Sequence, residues 1–170
     1  MKKTLIERYE VTNGAGDASV LLNNIPQTYT DLLVLVSARN TVVADEFYIY
    51  PNSNTSNLSY RLLRGNGSTV ITANVHRFYP TVSSDTANTF ANGQIYIPNY
   101  TSSSAKSFSL DSVSENNGTT AYASIEAMLW NDTTAITSLL FQLNSGNIAQ
   151  YSSFSLYGIT AGNDGITTVS

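Results

Sequence analysis

Ala121-Tyr122-Ala123-Ser124-Ile125-Glu126-Ala127-Met128-Leu129-Trp130 is the stretch that sets the fold class. Its odd positions, Ala121, Ala123, Ile125, Ala127 and Leu129, are all apolar. Its even positions, Tyr122, Ser124, Glu126, Met128 and Trp130, are mixed. Strict alternation with period two marks an extended strand with one buried face. Read this way, the odd set is predicted to be the buried one. The pattern continues downstream. Ala135–Leu143 puts Leu139, Phe141 and Leu143 on one face, Asn144-Ser145-Gly146-Asn147 has turn composition, and Ile148–Ile159 brings Phe154 and Leu156 inward. Three consecutive strands therefore occupy residues 121–160.

Upstream, Leu5–Val11, Ala18–Leu22, Tyr29–Arg39, Phe47–Tyr50, Leu58–Arg64, Ser68–Val75, Gln94–Ile97 and Lys106–Val113 read as further strands. Leu32–Val36 is apolar on both faces, which predicts a central strand covered on both sides. Asn13-Gly14, Asn66-Gly67, Asn92-Gly93 and Asn117-Gly118 are turn pairs, since Asn and Gly both tolerate positive φ. Gly65-Asn66-Gly67 predicts a hairpin joining the strands on either side of it. Pro51 and Pro98 each end a strand, where a missing N–H does least harm. No stretch shows a helical period. The expected fold is all-β, an antiparallel β-sandwich over residues 1–170, with a jelly roll as the first reading. An immunoglobulin-like sandwich comes second, because the Cys–Trp–Cys signature is missing.

Composition narrows the function classes. The 170 residues suffice for one domain with a real core. Only 12% are charged, well below the usual quarter, while Ser, Thr and Asn make up about a third of the chain. The 11 Tyr and 6 Phe set it apart from disordered sequences. A net charge of −4 without a basic cluster argues against a nucleic-acid partner. No cysteine is present, so neither a disulfide framework nor a thiolate metal site is expected. The apolar run after Lys2 and Lys3 ends at Glu7 and Arg8, and no stretch is long enough to cross a bilayer, so neither a cleaved leader nor a membrane partner is expected. Six Asn-X-Ser/Thr sequons fall at Asn54, Asn57, Asn66, Asn99, Asn117 and Asn131, as expected by chance in so Asn-rich a chain.

The motifs of catalysis are missing. A Ser-His-Asp arrangement would have to use His76, the single histidine, which sits at a strand end with no Gly-X-Ser-X-Gly motif in the chain. One His and no Cys also argue against a zinc site. Asn163-Asp164-Gly165 reads as a turn rather than a calcium loop, and Gly14-Ala15-Gly16 lacks the third glycine of a dinucleotide site. Asp111 with Glu115, or Asp45 with Glu46, could form a glycosidase pair on paper, but 12 acidic residues always offer some such pair. The expectation is a non-enzyme without cofactor or metal. The aromatic residues are most open to a functional reading. Tyr48, Tyr50, Tyr96, Tyr100, Trp130 and Tyr157 lie on or beside predicted strands and are candidate interface residues. The competing assignment is an ordinary sandwich core with tyrosines at its rim, and sugar stacking is a third.

The pattern Trp130, Ala135-Ile136-Thr137-Ser138-Leu139, Leu143-Asn144-Ser145-Gly146 and Ser153-Phe154-Ser155-Leu156-Tyr157-Gly158-Ile159 is similar to the ending of small β-rich virion proteins of tailed bacteriophages. Gln94-Ile95-Tyr96-Ile97-Pro98-Asn99-Tyr100, followed by a Ser-rich loop and Lys106-Ser107-Phe108, resembles that group too. The resemblance covers residues 91–160 and consists of strand endings and turn residues. It implies a virion structural protein, made in the host cytoplasm. The leading expectation is a capsid decoration or cement protein, a homotrimer that bridges subunits of the major capsid protein. Residues 1–11 and 161–170 would serve as arms reaching neighbours. The alternative is a tail or tail-fibre component that binds a host glycan, and a polysaccharide hydrolase ranks third.

Overall fold

Alternating side chains build eleven strands among the residues that the computed structural model describes, 2–43, 46–76, 78–118 and 121–160. They are β1 (Lys2–Glu10), β2 (Ser19–Leu22), β3 (Asp31–Ala38), β4 (Phe47–Pro51), β5 (Leu58–Gly65) and β6 (Val70–Ala73). After these come β7 (Ala91–Pro98), β8 (Lys106–Val113), β9 (Ala123–Trp130), β10 (Leu139–Leu143) and β11 (Ser153–Thr160). No helix occurs among the described residues. The strands form an antiparallel β-sandwich. An eight-stranded sheet runs β1-β11-β3-β7-β8-β9-β5-β6, and a three-stranded sheet runs β2-β10-β4.

The chain crosses between the sheets at β1–β2, β2–β3, β3–β4, β4–β5, β9–β10 and β10–β11, and the first and last described strands, β1 and β11, lie side by side. The sheets are unequal: the β5–β6 hairpin and the β8–β9 pair extend the large sheet beyond β7. The hairpin turns where expected. Gly67 takes φ +85, and the Asn66 side chain accepts hydrogen bonds from the Ser68 and Thr69 backbone N–H groups at 3.1 and 2.8 Å.

An apolar cluster fills the space between the sheets. Phe47 lies at its centre, with the rings of Phe78, Phe141 and Phe154 at 5.6, 6.0 and 5.9 Å. Gly158 is required by close approach: a Cβ there would stand 2.3 Å from the Tyr29 ring.

Three expectations need correction. First, β9 faces the opposite way. Ser124, Glu126, Met128 and Trp130 are buried, while Ala123, Ile125, Ala127 and Leu129 are exposed. The register explains the choice. Met128 and Trp130 stand opposite Phe108 and Lys106 of β8, on the face that lines the core. Burying a Trp and a Met removes far more apolar area from water than burying alanines, and a one-residue slip would reverse every side chain. Second, residues 2–10 are not an arm. They form the edge strand β1, paired with β11 from Lys2↔Thr160 to Glu10↔Ser153. Residues 161–170, the other expected arm, lie outside the described residues. Third, β3 is covered on its outer side only in part: Leu33 is buried there between Tyr96 and Tyr157, but Leu35 is 41% exposed.

Candidate functional site

The six aromatic candidates fall into three places. Tyr100 and Trp130 are core residues, 0% and 1% exposed, and offer nothing to a partner. The Tyr100 hydroxyl donates to the Pro26 carbonyl, and Trp130 packs under the ammonium of Lys106, 5.6 Å from its ring. Lys106 is itself buried and donates to the carbonyls of Thr134 and Asp132. Burial lowers its pKa, and the nearby Asp132 opposes that shift. Tyr96 and Tyr157 are half-buried and stand on either side of Leu33 on the outer face of the large sheet. The Tyr96 hydroxyl donates to Asp31 at 2.8 Å. Tyr48 and Tyr50 are half-buried on β4, the edge of the small sheet, and stack with centroids 5.8 Å apart.

A cluster lies behind Tyr48 and Tyr50. His76 is buried, with its ring stacked on Tyr60 at 5.0 Å and tilted against Tyr48 at 5.9 Å. The Ile49 backbone N–H donates to His76 Nε2 at 3.1 Å, so the ring proton sits on Nδ1, facing the buried carboxylate of Glu126. Both ring nitrogens are engaged within the core, so neither can take a proton from a ligand. The sequence placed His76 at a strand end and held no signal for its partner fifty residues away.

The tyrosines around this cluster predict an alkaline effect. The Tyr60 hydroxyl is pushed up to about 12, mainly by burial, with Tyr50, Glu126 and Tyr48 adding to the shift. An unfolded tyrosine titrates near 10. The folded chain therefore keeps a proton that the unfolded chain gives up. This contribution to stability is fully present below about pH 10 and is lost as the pH rises to about 12. Tyr60→Phe removes it. Between those limits the unmodified chain is expected to lose on the order of 2 kcal/mol more than the variant, read from urea midpoints. Equal losses would show that Tyr60 does not titrate late.

The other feature is the outer face of the large sheet. Register places residues of one row side by side on a shared face. Across β8, β9, β5 and β6 one row reads Asp111, Ile125, Leu63 and Thr72. The row on one side reads Val113, Ala123, Gly65 and Val70. The row on the other side holds Ser109, Ala127 and Arg61. Ile125 is 64% exposed, Leu63 47% and Val113 45%, and the hollows over them are open and shallow. Arg61 and Asp111 are the only charged residues facing outward from these four strands. Sequence reading missed this face because it assigned its central strand residues, Ile125 with Ala123 and Ala127, to the core. The even set's Trp130 and Met128 were the available hint.

Among the described residues, no group of three or more His, Asp or Glu could hold a metal ion. No described helix is long and apolar enough to cross a membrane. Comparison with protein-family models, with curated proteins and with solved structures finds no match.

Proposed function

We propose that this chain is a structural protein of a bacteriophage particle, a decoration or cement protein of the head that acts by contact and carries out no reaction. The observation that carries the reading is the outward apolar face on β9 and its neighbours. Ile125, Leu63 and Val113 are fixed in a row-and-column array on rigid strands and left open to water. A contiguous apolar surface of this kind marks a protein contact. The commitment of both His76 ring nitrogens to the core supports a role without acid–base chemistry. The low charge of the chain keeps such contacts insensitive to salt.

Cryo-electron microscopy of the purified particle tests the reading. Density for this sandwich over the capsid lattice is the expected result. Density confined to the tail would favour the second reading, a tail component that binds a host glycan. The half-buried Tyr48–Tyr50 stack, a surface that a sugar ring could cover, speaks for that alternative. Absence of the chain from the particle would overturn both.

A further inference from the structure

We propose that the outer face of β8, β9, β5 and β6 takes a second copy of this chain, packed face to face about a twofold axis that runs along β9. The proposal rests on the reading above, that the chain acts by contact through this face, and it names a second copy of the chain as what the face takes.

The argument is one of symmetry and charge. A twofold axis lying between two stacked sheets and parallel to β9 lays β8 of one copy over β5 of the other and leaves each row over itself. Ile125 then meets Ile125 of the second copy. Asp111 lies over the row of Leu63, one residue pair from Arg61 of the second copy, about 7 Å along the strand and within reach of an arginine side chain. The relation is reciprocal, so two opposite-charge contacts flank one apolar spine. One acid and one base on opposite sides of β9 make a face complementary to itself. The same face is neutral overall and offers no field to a strongly charged partner of either sign. Its size also fits. β8, β9 and β5, of eight residues each, and the four-residue β6, about 4.8 Å apart at about 3.4 Å per residue, cover about 450 Å² in projection. Two such faces come to about 900 Å², at the lower edge of what a specific interface buries. Aligned sheets about 10 Å apart pack in this way in sandwiches.

Sedimentation equilibrium of the purified full chain tests the proposal. The expected result is a dimer. Ile125→Lys sets two ammonium groups against each other on the axis and should weaken association by about a hundredfold or more. At a concentration low enough for both proteins to be monomeric, its melting temperature should stay within about 2 °C of the parent, because Ile125 is 64% exposed in the monomer. Asp111→Arg should weaken the dimer by about tenfold, and adding Arg61→Asp should restore it to within about threefold. Should Ile125→Lys perturb the fold, the charge-swap pair decides, since it leaves the apolar spine intact. A chain that stays monomeric, or a trimer or other oligomer indifferent to these substitutions, overturns the proposal. The location of the chain in the particle is measured separately. A failed dimer therefore leaves the virion reading standing, and a chain absent from the particle leaves the dimer standing.

Discussion

Replacing His76 with alanine is expected to lower stability by about 3–5 kcal/mol. The substitution removes three interactions at once. Glu126, 3% exposed, loses the imidazole that faces its carboxylate, the Ile49 N–H loses its acceptor, and the Tyr60 ring loses its stacking partner. A buried carboxylate that loses a donor costs more than that contact contributed when intact. Ile49 belongs to β4, so the damage reaches the small sheet directly. For a chain of this length the melting temperature should fall by about 10 °C. Glu126→Gln should cost far less, because an amide oxygen still accepts from Nδ1–H. The double variant His76→Phe with Glu126→Leu should be more stable than the sum of its single changes, because both single changes remove the same contact. Urea denaturation of the parent, these three variants and the single changes His76→Phe and Glu126→Leu measures all of this. A loss below about 1 kcal/mol for His76→Ala would mean that the cluster is hydrated in solution and contributes little.

Phe47→Ala is expected to cost about 3–5 kcal/mol. Phe47 is 0% exposed and touches rings from three other parts of the fold: Phe78 beside β4, Phe141 on β10 and Phe154 on β11 of the facing sheet. Aromatic pairs at these distances add to the area term, and close packing leaves little around the site that can collapse into the void. Phe47→Leu, which keeps most of the volume, should cost about 1–2 kcal/mol. Because Phe47 joins both sheets, the loss should appear as a shift of one cooperative transition. Far-ultraviolet circular dichroism and tyrosine fluorescence should report the same midpoint. Separate midpoints would show that the three-stranded sheet melts independently.

Some features were legible because they are local. The hairpin over Gly65-Asn66-Gly67 depends on residues within a few positions of each other, and strand and turn formed as read. The strands themselves follow from period-two alternation, which backbone geometry imposes wherever a run is extended. The absence of a helical period pointed to an all-β sandwich for the same reason.

Alternation does not say which of two faces is buried. In Ala123–Trp130 both sets of residues are consistent with a strand, and only the neighbouring strands break the tie. Glu126 can face inward because His76 arrives from fifty residues away and supplies a donor within the core. Composition carries no trace of that meeting. The pairing of β1 with β11 joins the two ends of the described chain, and it converted an expected arm into an edge strand. The same long-range packing sent Tyr100 and Trp130 into the core and left Ile125 and Leu63 in water. Sequence alone thus determined the class of fold, the hairpin turn over Gly65-Asn66-Gly67 and most of the strands, since these are set by short-range geometry; Asn92-Gly93, read as a turn, is instead held inside β7 by its neighbours β3 and β8. The tertiary structure decided which face looks outward, and with it the candidate contact surface, since burial depends on contacts between residues far apart in the chain.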